Sequence, residues 1–222
     1  MNEIRPIETY YDGHWYRSRL EARWAVVFNY LGVDFEYEPE GFDLGNGLKY
    51  LPDFRVKCYG KRGDYESEPF DLYIEVKGRM TKIDAEKIKR FCGEETKVDE
   101  EYGYEYAAIH TPILIVNQIP GPGLATCFDL SENMGFDLYP FNYYLIDGDY
   151  FGAYPAATAD GKFYLFGDDS NYINWKDEKR MELAYEAARC ARFEHGAMPP
   201  TRAQFDDMRW KQKYHHTHCD PF

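Results

Sequence analysis

The sequence predicts an α/β fold, and three observations support this expectation. First, Leu20, Trp24, Val27, Phe28 and Leu31 recur at the spacing of one helix face, as in an amphipathic helix. Second, the segments after this helix show the alternating or continuous apolar patterns of strands. Third, the predicted order is helix, three strands, helix and strand, which favours a sheet packed against helices.

Local signals define each element of the first half. Asp12-Gly13 lies between aromatic residues and predicts a hairpin, and Gly32 ends the first helix. Three strands are predicted over residues 33–42, 48–59 and 70–78 (VDFEYEPEGF, LKYLPDFRVKCY and FDLYIEVKG). A helix over residues 81–93 is predicted to direct Ile83, Ile88 and Phe91 inward, and a buried strand follows within residues 111–120.

The second half is rich in glycine, proline and aromatic residues. Strands are predicted within residues 141–156 and 161–169, and a helix over residues 175–196. We therefore expect a core over residues 1–119 and an extension over residues 120–222, β-rich and then helical, packed on that core.

Charge and composition limit the function classes. The net charge is −13, and residues 94–175 hold 14 acidic against 2 basic residues. This acidic middle segment is expected to repel nucleic acid or to contact a protein partner, although local basic clusters could still bind phosphates. The sequence shows no membrane span and no apolar signal core, which predicts a cytoplasmic protein. The 5 scattered cysteines favour neither a disulfide framework nor a zinc site.

The stretch YIEVKG, residues 73–78, carries the chemistry. Residues two apart in a strand share a face, so Glu75 and Lys77 should project together, opposite Ile74 and Val76. Antiparallel pairing would bring Asp53, on the preceding predicted strand, close to Glu75. Paired carboxylates are suited to Mg²⁺, and a lysine beside them would stabilise charge on a phosphate. A strand with an ordinary polar face is the alternative.

Glu21 is a third candidate acid with two interpretations. Ser18 and Glu21 fit a capping box, in which Glu21 would accept a hydrogen bond from the Ser18 backbone. A helix packed on the sheet would also hold Glu21 at the edge of the metal site. Both roles stay open.

Four motifs in order, YRSRLEARWA, FEYEPEGF, YLPDF and YIEVKG, resemble the PD-(D/E)XK nuclease superfamily. The resemblance covers residues 10–115 and is strongest to phage-type junction-resolving and transposase-associated endonucleases. It implies a restriction-endonuclease-like core with a mixed central sheet flanked by helices. It also implies a Mg²⁺-dependent endonuclease that acts on DNA, with Mn²⁺ able to substitute.

The resemblance also implies roles for individual residues. Asp53 and Glu75 would be metal ligands together with the backbone carbonyl of Val76. Lys77 would be the catalytic lysine, and Glu21 would be an accessory carboxylate that binds or orients metal and water.

Basic residues near these motifs are candidates for nucleic-acid binding. Arg17 and Arg19 surround the start of the first helix, and Lys82 and Lys87 belong to a basic face of the second. Solvated or acid-paired side chains are the alternative for each. Cutting both strands of a duplex would favour a homodimer.

Two other functions are consistent with the same motifs. One is a binding or accessory protein with a nuclease fold, which would contact a protein partner through the acidic middle segment. The other is a restriction-type enzyme with a recognition module within residues 120–222.

Overall fold

The computed structural model describes most of the chain. The described residues are 6–62, 65–78, 81–93, 95–98, 105–108, 111–116, 142–146, 149–166, 175–196 and 198–215.

The N-terminal hairpin and first helix agree with the sequence prediction. Strands β1 (Thr9–Tyr11) and β2 (His14–Tyr16) pair antiparallel across Asp12 and Gly13, which have φ angles of 47° and 87°. Helix α1 (Arg19–Leu31) begins after its N-cap Ser18 and ends at Gly32, whose φ of 79° is left-handed. A left-handed glycine is a common helix terminus because it has no Cβ to clash.

The next two predicted strands are each interrupted. The first is β3 (Phe35–Tyr37) and β4 (Phe42–Asp43), separated where Glu38 has a φ of 48° before Pro39. The second is β5 (Lys49–Tyr50) and β6 (Phe54–Arg62). Pro52 has no N–H for a ladder, and Asp53 lies in the bend before β6. The expectation that Asp53 belongs to a strand is therefore wrong by one residue.

In the described residues, eight strands form a central mixed sheet. Besides β3 and β6, its members are β7 (Tyr65–Glu66), β8 (Phe70–Val76), β11 (Ile113–Val116), β12 (Asn142–Ile146), β13 (Asp149–Ala157) and β14 (Phe163–Phe166). The main path of the sheet runs β11–β8–β6–β14–β13–β12, and β3 and β7 also pair with β6. The β11–β8 and β14–β6 pairs are parallel and the others are antiparallel.

Alternate residues of β8 separate two hydrophobic clusters. Ile74 and Val76 pack with α1 on one face of the sheet. Tyr73 packs on the other face with helix α2 (Lys82–Cys92), which buries Ile88 and Phe91. Ile83 is 62% exposed, so its predicted inward direction is wrong. Ile83 is the second residue of α2, and the buried residues of this helix begin only at Ala85.

The C-terminal half completes this architecture. Strand β14 pairs with β6, and helix α3 (Trp175–Cys190) contacts α1. A 3-10 turn (Phe193–His195) and helix α4 (Arg202–His215) follow, and Phe205 of α4 joins the cluster around α1. The fold is thus mixed α/β, with a mixed sheet flanked by helices.

The acidic middle segment is described only in part. Strands β9 (Glu95–Val98) and β10 (Glu105–Ala108) form a separate antiparallel pair. Much of residues 94–175, including 117–141, lies outside the described residues. The prediction that this segment contacts a protein partner falls largely on those residues. No helix in the described ranges has the length and apolar character needed to cross a membrane.

Candidate functional site

Three acidic residues are buried together at one end of the sheet. Glu21 in α1, Asp53 before β6 and Glu75 in β8 have exposed fractions of 6%, 2% and 1%. Where side chains are described, these are the only buried acidic residues. Because a buried carboxylate is unfavourable without partners, each needs hydrogen bonds or a cation.

Sheet register brings Asp53 to Glu75. Phe54 pairs with Ile74, so one residue further along the antiparallel ladder Asp53 lies opposite Glu75. The Oδ2 atom of Asp53 accepts a hydrogen bond of 2.6 Å from the Val76 N–H, and Oδ1 contacts the guanidinium of Arg17. Asp53 precedes the first residue of β6, and its carboxylate accepts the Val76 N–H in place of a strand carbonyl.

The surroundings of Asp53 favour its protonated form. Burial, followed by the charges of Glu75 and Glu21, raises its pKa to about 8. The Val76 N–H and Arg17 oppose this shift without cancelling it. Asp53 is therefore a carboxyl group whose ionisation would be favoured by an added cation.

Glu75 lies in β8 and Lys77 directly follows the end of this strand, and the two side chains meet, as their spacing predicts. Lys77 Nζ lies 2.7 Å from Glu75 Oε1, and the Tyr50 hydroxyl donates a 2.7 Å hydrogen bond to Oε2. Burial lowers the pKa of Lys77, but Glu75, Asp53 and Asp84 outweigh burial and raise it. Lys77 therefore keeps its positive charge beside Glu75.

Glu21 participates in the cap of α1. Ser18 Oγ accepts a 3.1 Å hydrogen bond from the Glu21 N–H and donates one of 2.7 Å to Oε1. The other oxygen, Oε2, accepts from the Tyr37 hydroxyl at 2.7 Å and from the Arg17 N–H at 3.1 Å. The predicted bond from the Ser18 N–H is therefore wrong, because the Ser18 hydroxyl and the Arg17 N–H take its place.

The donor set fits a hard divalent cation. No three or more His, Cys, Asp or Glu residues in the described ranges form a group that could hold a metal ion by themselves. Asp53 and Glu75 nevertheless present buried carboxylates from adjacent elements. Mg²⁺ is commonly held by one or two carboxylates, with waters and substrate phosphate oxygens completing its shell. The proposed ligands suit that mode of binding.

A cleft of about 590 Å³ reaches Glu75, one of the three buried acids. Its floor includes Glu75 and Lys77, and its sides come from α2 and from the β4–β5 hairpin. It is lined by Arg17, Gly41, Phe42, Asp43, Lys49, Tyr50, Leu51, Glu75, Lys77, Asp84 and Lys87. The cleft thus has four basic residues, although the chain as a whole is acidic.

The residues predicted to bind nucleic acid have different positions. Arg17 and Lys87 line the cleft. Arg19 lies 3.7 Å from Glu194, which also pairs with Arg23 at 3.1 Å. Lys82 is exposed at the start of α2 and is not part of the cleft lining.

Comparison of the chain with family models, curated proteins and solved structures found no match. The geometry of the site is therefore the basis for a functional inference.

Three residues of the site were not predicted from sequence. The Tyr37 hydroxyl donates a hydrogen bond to Glu21 and the Tyr50 hydroxyl donates one to Glu75. Lys49 lines the cleft. The signal for both tyrosines is their place in the FEYE and YLPDF motifs, where an aromatic residue is also explained by packing. Lys49 follows a glycine-rich turn and has no sequence signal of its own.

Proposed function

We propose that this protein is a metal-dependent endonuclease of the PD-(D/E)XK type that hydrolyses phosphodiester bonds in DNA. One observation carries the proposal. The buried acids in the described side chains are the three that the motifs select, Glu21, Asp53 and Glu75, and Lys77 contacts one of them. An ordinary polar strand face would leave such carboxylates in water.

Each residue has a role in this proposal. Asp53 and Glu75 would hold Mg²⁺ or Mn²⁺ together with the Val76 carbonyl. The bound metal would lower the pKa of a water molecule and neutralise charge on the phosphate. Lys77 would donate hydrogen bonds to a non-bridging phosphate oxygen as its charge increases.

Two further residues support this arrangement. Tyr50 fixes one oxygen of Glu75, which orients the other toward Lys77. Arg17 is half exposed and contacts Asp53, so its guanidinium can turn to the phosphate when Asp53 binds a metal. Glu21 anchors the Arg17 backbone and could also orient a water molecule.

A cleavage assay tests the proposal. Purified protein with Mg²⁺ or Mn²⁺ should cut at least one of duplex, single-stranded and branched DNA. Asp53→Asn, Glu75→Gln and Lys77→Met should each lower the rate by at least about 100-fold. Glu36→Gln is a matched control, because Glu36 is 60% exposed and pairs with Arg55 outside the cleft. If wild type and the site variants are equally inert on all three substrates, the proposal fails.

A binding protein with this fold is the second candidate. The favouring observation is that Arg17 and Lys77 already contact Asp53 and Glu75 within the chain. Such a protein would contact a protein partner through the acidic middle segment.

Thermal unfolding separates the two candidates. A functional metal site should raise Tm when Mg²⁺ is added, and Asp53→Asn should abolish that rise. A binding protein should unfold at the same temperature with and without Mg²⁺.

A further inference from the structure

Two basic residues of the cleft differ from the others in their partners. Arg17 and Lys77 are in ion pairs with site carboxylates. Lys49 and Lys87 line the same cleft and form no ion pair with any residue in the described part of the chain. In a protein that is acidic overall, two cleft lysines without a close ion pair indicate a place for negative charge from outside.

The structure shows why two nearby acids form no ion pair with these lysines. Asp43 lies directly across from Lys49 in the β4–β5 hairpin, but its Oδ1 accepts a 2.9 Å hydrogen bond from the Gly45 N–H. Asp84, one helical turn before Lys87, caps α2. Its Oδ2 accepts hydrogen bonds from the N–H and hydroxyl of Thr81 at 3.0 and 2.6 Å.

Asp84 also interacts with the site itself. Its Oδ1 lies 3.7 Å from Lys77 Nζ. Lys87 affects the same carboxylate electrostatically, without an ion pair, and helps to lower its pKa against the effect of burial. Both acids are therefore engaged in holding the turn, the helix start and Lys77.

Aromatic packing fixes the two elements that carry the lysines. Phe42 and Tyr50 of the hairpin pack on Phe91 of α2, with ring centroids 4.8 and 4.9 Å apart. Tyr73 of β8 completes this cluster against Phe91 at 4.9 Å. Packing between the hairpin and α2 thus sets the backbone positions of Lys49 and Lys87 beside Glu75 before a ligand binds.

We infer that Lys49 and Lys87 bind backbone phosphates of the substrate strand beside the bond that is cut. This inference rests on the proposed function and extends it to the way the strand is held. Lysines that contact phosphates contribute affinity without reading base sequence. The cleft would therefore grip the strand independently of sequence, and Lys49 of the hairpin is as important for this grip as Lys87 of the helix.

The salt dependence of binding tests the inference. The affinity of the full chain for a fluorescein-labelled single-stranded oligonucleotide is measured by anisotropy, with Ca²⁺ in place of Mg²⁺, at several salt concentrations. Each phosphate contact contributes about 0.7 to the slope of log K against log salt for single strands. Lys49→Gln and Lys87→Gln should each lower the slope by about that amount, and the double variant by about twice as much.

Lys57→Gln is the matched control. It removes the same charge from the chain, but Lys57 lies on β6 outside the cleft lining, 68% exposed and paired with Asp71. Its slope should equal that of wild type, which separates a local contact from an effect of net charge. Steady-state cleavage is a second readout: KM should rise in the Lys49 and Lys87 variants while kcat changes little.

The outcomes separate this inference from the proposed function. If wild type cuts DNA and the Lys49→Gln and Lys87→Gln slopes equal the control slope, the inference fails and the nuclease proposal stands. If the slopes fall as expected and no metal supports cleavage, the phosphate contacts stand and the nuclease proposal fails. If wild type neither binds nor cuts, both fail.

Discussion

Lys77 Nζ lies 2.7 Å from Oε1 of Glu75, a carboxylate that is almost completely removed from water. Glu75 belongs to β8 and Lys77 directly follows it, so the contact needs no long-range assembly beyond the burial of β8. It supplies a counterion for Glu75 in the metal-free protein, and it places an ammonium group where the proposed reaction develops negative charge.

Replacing Lys77 should affect stability as well as cleavage. In Lys77→Met, Glu75 loses its ammonium partner while it stays buried. We expect the free energy of unfolding in EDTA to fall by about 1–3 kcal/mol, measured by urea denaturation. Lys57→Met is the control, because its exposed pair with Asp71 should contribute no more than about 1 kcal/mol. An unchanged free energy in Lys77→Met would show that the Lys77–Glu75 contact does not form in solution.

Tyr50→Phe should weaken the site without removing packing. The ring would still contact Phe91, but Glu75 would lose the hydrogen bond from the hydroxyl. A hydrogen bond to a charged group contributes about 1.5–3 kcal/mol, so the free energy of unfolding should fall by that amount. Tyr185→Phe is a suitable control, because the Tyr185 hydroxyl has no hydrogen-bond partner in the described part of the chain. Burial alone raises the pKa of Tyr185. Equal losses in the two variants would contradict a specific role for Tyr50.

Metal-free stability should depend on pH through Asp53. Burial and the neighbouring acids raise its pKa from 3.8 to about 8, so the folded state retains a proton that the unfolded state releases. The contribution of Asp53 to stability is therefore complete below about pH 4, declines as pH rises, and is lost above about pH 8. Urea denaturation in EDTA should accordingly show a decline in stability across this range.

Asp53→Asn provides the comparison for the pH measurement. The amide oxygen can still accept from the Val76 N–H, but the side chain does not titrate. The decline in stability between about pH 4 and pH 8 should be smaller in this variant than in wild type. An identical decline would mean that other groups cause the pH dependence.

Gly161→Ala should destabilise the protein through a backbone clash. Gly161 has a φ of 86°, and an added Cβ would lie only 2.3 Å from the Gly32 carbonyl oxygen at the end of α1. Relief of such a contact costs about 1–3 kcal/mol beyond the left-handed conformation itself. Gly196→Ala is the matched control, because its φ is 71° and no atom lies within 4 Å of the added Cβ. Thermal denaturation should therefore show a larger loss of Tm for Gly161→Ala.

The sequence predicts the features that depend on short-range periodicity. The stripe from Leu20 to Leu31 predicts α1 because one face must be buried, and the spacing of Glu75 and Lys77 predicts their shared face. The approach of Asp53 to Glu75 is also predictable, since antiparallel neighbours must pair in some register.

Features that depend on tertiary position are not predictable in this way. Ile83 fits an apolar stripe but lies in the first turn of α2, ahead of the buried residues that begin at Ala85. Arg19 resembles Arg17 in sequence, yet only the fold brings Glu194 of the distant 3-10 turn to it. Tyr50 is explained equally well by packing and by hydrogen bonding until the position of Glu75 is known.

Strand β14 pairs in parallel with residues 58–61 of β6, although about a hundred residues separate the two along the chain. A fragment that ends at residue 119 would keep every proposed ligand of the metal and still lack β14. Its β6 would then present unpaired N–H and C=O groups along an open edge, which is a template for pairing with another chain. We expect such a fragment to aggregate on size-exclusion chromatography, because in the full chain residues far from the motifs cover this edge of β6.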